Sequence, residues 1–169
     1  RKGARLMAWK SEDYDWDADD AEIERIQKRF PHLRLPRIST MRGWFPIVEQ
    51  WCEDVSARAE EGSVKVAQIK QKFATLCIYT GAMPDDRQLR HDIEVITALA
   101  ECRAARACEV CGGPAVHRIR SGYWHTCRCD EHADGGVPAA NWRVPEVIGI
   151  GDHRYRYDEV SDVLVEVTE

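Results

Sequence analysis

Apolar residues return every third or fourth position in three stretches of the chain, and in a fourth they crowd together without a break. Ile23, Ile26 and Phe30 follow the acidic cap candidates Asp19 and Asp20, and Pro31 stops the pattern, which predicts a short amphipathic helix. A second helix is expected to open at Pro46, where a missing amide proton costs nothing, to show Ile47, Val48, Trp51 and Val55 on one face, and to close at Gly62. The clearest helix follows Pro84, Asp85 and Asp86, with Leu89, Ile93, Ile96 and Ala100 at i, i+4, i+7 and i+11. The unbroken stretch, residues 75–80, is β-branched and aromatic and predicts a buried strand. Between helix and strand, Val64, Val66, Ile69 and Phe73 fit either a strand turning into a helix or one bent element.

Further along, residues 115–120 and 123–128 flank the turn pair Ser121-Gly122 and read as a β-hairpin. Three extended pieces follow Pro145, at 147–150, 153–157 and 163–167. These readings divide the chain into an acidic arm expected to be disordered (1–18), a mostly helical α+β body (19–107), a zinc module (108–134) and a C-terminal extended segment packed on the body (135–169). The expected fold class is α+β, with helices packed on a small antiparallel sheet.

The zinc module rests on spacing. Cys108, Cys111, Cys129 and His132 fall as Cys-x2-Cys, seventeen intervening residues, then Cys-x2-His, the pattern of a tetrahedral zinc site. A knuckle with Gly112 and Gly113, a hairpin, and a last ligand pair on the first turn of a short helix, kept short by Gly135 and Gly136, make a treble-clef-like layout. Four protein ligands leave no open position, so the Zn2+ is read as structural. Cys127 competes with His132 for the fourth place, but alternate strand residues face opposite ways, so Cys127 should point away from an ion held by Cys129. His117 and His125 are expected at the surface or behind the ligands. Cys52, Cys77 and Cys102 sit on apolar faces and read as small core residues.

Composition changes this picture in two ways. The 169 residues are 44% hydrophobic and 31% charged, with no apolar run near the ~20 residues a bilayer span needs, so no membrane role is inferred. Seven cysteines, five of them crowded beside histidines, favour metal over disulfides, and with no leader visible the expected compartment is a reducing cytoplasm. The net charge of −5 is segregated. Eight carboxylates and no base lie between Glu12 and Glu24, including Asp15, Asp17, Asp19 and Asp20, and the C-terminal segment adds Asp158, Glu159, Asp162 and Glu166. Arg1, Lys2 and Arg5 precede them, and arginines gather around the metal motif.

Three functions compete. Carboxylates on the arm or at the C-terminus can occupy a basic site on a protein partner. Arg118, Arg120 and Arg128 with Tyr123 and Trp124 can instead contact phosphates and stack on unpaired bases, against the acidic whole-chain charge. Asp130, His132 and Asn141 faintly match a zinc-supported HNH-type nuclease, but that chemistry needs its histidine as a base, which a zinc ligand cannot be. No other catalytic motif is present, so no enzyme activity and no small-molecule substrate are inferred.

Residues Gly43-Trp44, Gln68-Ile-Lys-Gln-Lys-Phe73 with Leu76-Cys-Ile-Tyr79, and Cys108-Glu-Val-Cys-Gly112 with Trp124 and Cys129-Asp-Glu-His132 resemble a group of small, mostly uncharacterised proteins of bacteria and their phages. That group usually reads Ile-Lys-Glu-Lys-Phe-Gly and then Leu-Arg-Phe-Tyr, so Gln71, Ala74, Cys77 and Ile78 depart from it. The resemblance covers residues 43–134 and implies a zinc-held α+β accessory protein. The expectation is a non-enzymatic interaction protein with an antitoxin-like or anti-defence role.

Overall fold

Helix α1 (Asp20–Arg29) turns Ile23 and Ile26 inward, as their spacing predicts, and ends just before Pro31. The computed structural model describes residues 10–121, 123–141 and 144–168. Arg1, Lys2, Arg5 and Gly122, used in the sequence reading, lie outside the described residues. After α1, the Gln27 side chain donates to the Leu35 and Pro36 carbonyls at 3.2 and 3.1 Å, fixing the connector. That connector contributes β1 (Ile38–Ser39), a strand too short for any periodicity to announce.

Helix α2 (Phe45–Ser56) has its proline in the first turn, as expected, and buries Phe45, Val48, Trp51, Cys52 and Val55. It stops at Ser56, six residues before the predicted glycine. Gly62 instead takes a left-handed conformation (φ +80°) in the turn that leads to the next strand. The ambiguous 64–73 stretch is β2 (Lys65–Lys72), antiparallel to β3 (Thr75–Ala82), while β1 joins β2 in parallel. Cys77 departs from expectation: it is half-buried and lies opposite Lys70, on the face away from Leu76 and Ile78.

Helix α3 (Arg87–Ala104) opens on Asp86, whose carboxylate accepts the Leu89 amide proton at 2.7 Å. One core lies between the three helices and the first sheet, and it holds Ile26, Trp44, Val48, Trp51, Ile69, Leu76 and Ile93. Both buried indoles find acceptors: Trp44 donates to the Ala107 carbonyl at 2.8 Å and Trp51 to Thr97 Oγ1 at 2.9 Å.

Two further three-stranded sheets flank this body. Strands β4 (Val116–Arg120) and β5 (Trp124–Arg128) form the predicted hairpin, and β6 (Val137–Pro138) adds to β4. Strands β7 (Ile148–Ile150), β8 (His153–Asp158) and β9 (Val163–Glu166) follow in order. Ile150 and Tyr155 pack on Ala98 of α3, and His91 Nε2 meets the Tyr155 hydroxyl at 2.7 Å. The result is the α+β class read from the sequence. No helix among the described residues is long and apolar enough to cross a membrane.

The arm differs from expectation over residues 10–18. It takes two 3-10 turns rather than staying disordered, because aromatic residues interrupt its acids. Tyr14 packs beside Met41, Cys108 and Val110, donates to Asp19 at 2.5 Å and accepts the Arg42 amide at 2.8 Å. Asp19, expected as a helix cap, is buried against Tyr14 and the Arg42 guanidinium instead.

Candidate metal centre

The turn that begins the site is built by backbone. The Cys108 amide donates to the Gly113 carbonyl at 2.7 Å, and the Gly112 amide returns to the Cys108 carbonyl at 2.8 Å. Gly112 has φ +76°, which a side chain rarely tolerates, so the glycine after Cys111 is what lets the knuckle close. The body grips this knuckle from outside. Gly43 donates to the Glu109 carbonyl at 3.0 Å, and a β-carbon there would stand 2.2 Å from the Cys108 oxygen and 2.6 Å from the Gly112 nitrogen.

Strand β5 then delivers Cys129 back to the knuckle, tied by the Glu109 amide to the Cys127 carbonyl at 2.9 Å. The helix expected from Cys129 is replaced by tight turns, since Asp134 and Gly135 both take positive φ and the chain pairs at once as β6. A knuckle, a hairpin and a returning ligand pair remain compatible with a treble clef. His132 still arrives: its Nδ1 lies 3.2 Å from Cys129 Sγ and 3.7 Å from Cys108 Sγ, and Cys111 Sγ is 3.9 Å from Cys129 Sγ. One ligand atom from each of Cys108, Cys111, Cys129 and His132 lies within 4.8 Å of the others, and this group can hold a metal ion. Cys108 is buried, Cys111 exposed, and Cys129 and His132 half-buried. Burial pushes the His132 imidazole below its usual range, keeping it neutral as a ligand must be.

Cys127 is not in this group. It is buried in the main core, where desolvation pushes its thiol up to about 12. His117 and His125 also stand apart, with Nε2 and Nδ1 of the two rings 2.7 Å from each other; His117 is buried rather than at the surface. The remaining cysteines, Cys52 and Cys102, are buried as expected.

Of the arginines read as phosphate contacts, Arg118 and Arg128 are buried, and Arg120 is half-buried and paired. Arg128 is buried and donates to Glu109 at 2.6 Å and to Ser11 at 2.8 Å, with Asp134 3.6 Å away. Buried Arg118 donates to the Arg128 and Gly136 carbonyls at 2.9 and 3.2 Å and pairs with Asp130. Arg120 pairs with Asp134, which also accepts from Ser11. Burial alone would raise the Asp134 carboxyl, but Ser11, Arg120 and Arg128 together hold it below the usual carboxylate range. Glu109 shows the opposite balance: desolvation raises it and Arg128 only partly offsets this. Tyr123 and Trp124 alone of that set stand free of the protein, 86% and 59% exposed at the hairpin tip.

Most carboxylates proposed for a partner are likewise held at home. Asp20 pairs with Arg37 at 2.6 Å, Glu159 with Arg106 at 2.5 Å and Asp162 with Arg103 at 2.9 Å, and Asp158 accepts the Val160 amide at 3.0 Å. Asp15 accepts the Ala18 amide at 3.1 Å, and both Asp15 and Asp17 are exposed. The sequence reading missed Glu109, Ser11, Gly43 and Asp134. A buried arginine beside the ligands was the one signal that could have asked for a carboxylate partner.

No family model, no curated protein and no solved structure matches this chain.

Proposed function

We propose that this chain is a non-enzymatic, zinc-stabilised interaction protein of bacterial or phage type that binds and inhibits a macromolecular partner. The observation that carries the reading is the closed Cys3His group. Three of its edges, at 3.2, 3.7 and 3.9 Å, lie near the edges of about 3.6–3.8 Å of a tetrahedron with zinc–sulfur and zinc–nitrogen bonds, and all four ligand atoms fall within 4.8 Å of one another. Zinc bound there supplies folding energy by joining the knuckle to the turn after β5. A cytoplasmic, reducing setting keeps the three thiols available for it.

The charges around the site favour scaffolding over chemistry. His132 belongs to the ligand group and Asp130 to Arg118, so neither is free to act as a general base in the nuclease reading. For the inhibitory role, the exposed stretch with Asp15 and Asp17 is the part of the arm left to meet a basic, nucleic-acid-directed protein. A second reading, a single-strand nucleic-acid surface, is favoured by Tyr123 and Trp124 together with exposed Phe73 and the Lys72 ammonium 5.7 Å from its ring.

The test is purification under reducing conditions with metal analysis, then affinity capture beside titration with single- and double-stranded DNA and RNA. One zinc per chain, a captured protein partner and no nucleic-acid cleavage are expected. Tight, salt-dependent nucleic-acid binding with no protein partner would overturn the reading.

A further inference from the structure

Strand edges carry unpaired amides and carbonyls, and proteins usually cover them. Here β3 ends the first sheet and β7 ends the third, and among the described residues no backbone hydrogen bond joins the two. Between them, over α3, lies a cavity of about 670 Å³ walled by residues 80–83 on one side and 148–151 on the other. That is the size of a ligand site. Each wall contains a glycine, Gly81 and Gly149, and a β-carbon at Gly149 would meet nothing within 4 Å. Glycine inside a strand marks a place where another backbone can come close.

The floor gives the groove its charge. Glu94 and Glu101, two turns apart on α3, both line it. Glu101 is mostly buried yet makes no hydrogen bond or ion pair among the described residues, and desolvation alone pushes its carboxyl up to about 6. Arg90 lines the same cavity but spends its guanidinium on the Pro84 carbonyl, at 3.0 and 3.3 Å. A second cavity of about 250 Å³ shares Ala98, Glu101 and Ile148, and carries the groove on towards Cys102 and His117. A carboxylate left without a partner in a groove between two open strand edges asks for a cation that arrives on an extended backbone.

We propose that this groove captures an extended peptide segment bearing lysine or arginine, which pairs with the edge of β3 or β7 and sets its cationic side chain against Glu101. The inference rests on the interaction-protein reading and names where, and what kind of, partner segment binds. The test titrates isotope-labelled full-length protein with a capped octapeptide of alternating lysine and valine. The amides of residues 80–82 and 148–150 should shift. Glu101→Gln combined with Glu94→Gln should weaken binding at least tenfold without lowering the melting temperature. Gly149→Val should block binding in a folded protein, and both the N-methylated octapeptide and its glutamate–valine counterpart should fail to bind.

Shifts that are absent or fall elsewhere overturn the proposal, as does equal binding of the glutamate peptide. Lysine amide binding as tightly as the octapeptide also overturns it, by making the groove a small-amine pocket. If a protein partner is captured while these amides stay unmoved by it, this inference fails and the proposed function stands. If nucleic acid is the sole ligand, both fail.

Discussion

The two sides of α3 treat charge in opposite ways. Past its C-terminus, around the Cys3His group, Arg118, Arg120 and Arg128 are matched with Asp130, Asp134 and Glu109, and the arm contributes Ser11 to the same network. Along its flank, facing β3 and β7, Glu101 is largely out of water and makes no hydrogen bond or ion pair among the described residues. Paired charges fix one geometry, most firmly where both partners are buried, as Arg128 and Glu109 are, and such a pair has nothing left to offer a ligand. An unpaired buried charge costs stability in the free protein, which is how a binding surface differs from a scaffold.

Removing the metal should break the scaffold side hardest. The hairpin and its flanking turns bury little apolar surface of their own, so Cys129→Ser or a strong chelator should cost several kcal/mol and open residues 108–134. Hydrogen exchange should then rise sharply across β4 and β5 while α2 and α3, which hold the main core, keep their protection. Unchanged melting after complete metal removal would refute the staple role.

Next in size is the buried ion pair. Glu109→Ala leaves the Arg128 guanidinium buried with its nearest other carboxylate, Asp134, 3.6 Å away, and should cost about 3 kcal/mol in a denaturant titration. Gly43→Ala tests the join between the two regions. Its β-carbon meets backbone at 2.2 Å rather than a flexible side chain, so about 2 kcal/mol of destabilisation and faster metal loss to a chelator are expected. A variant with wild-type metal retention would show that the knuckle does not need this contact.

How much of this was legible in the sequence differs between the same two regions. The ligands were readable because cysteine and histidine spacing is local, and α1 and α3 because Ile23, Ile26, Ile93 and Ile96 repeat at helical intervals. The end of α2 was misread because Gly62 is a left-handed turn residue, and nothing local marks Ser56 as the last helical position. Residues 10–18 were misread because the density of carboxylates outweighed Tyr14, whose partners Asp19 and Arg42 stand 5 and 28 positions away. Arg118 and Arg128 looked like phosphate ligands for a related reason: their acceptors become neighbours only when β5 folds back on β4. The groove had no signature whatever, since β3 and β7 are about seventy residues apart and Glu101 reads as one more polar position on a helix.

The smallest expected effect is the sharpest probe of the contrast. Glu101 takes up a proton at about pH 6 in the folded protein, and a carboxyl in the unfolded chain does so near 4.5. Folding therefore binds a proton between these values, and a charge penalty is fully present above pH 6 and gone below pH 4.5. Glu101→Gln removes the charge at every pH and should stabilise the protein by about 1 kcal/mol at pH 7, allowing for partial solvent screening. The gain should shrink as pH falls through 6 and vanish near 4.5, in paired denaturant titrations of wild type and variant. Glu109→Gln should do the reverse at pH 7: burial raises that carboxyl too, but the change also takes from the buried Arg128 guanidinium the negative charge it meets at 2.6 Å, and that loss outweighs the relief. A substitution that strengthens the fold while weakening capture of a basic peptide is the signature of a residue kept for binding, and the same change on the metal side can only loosen what it holds.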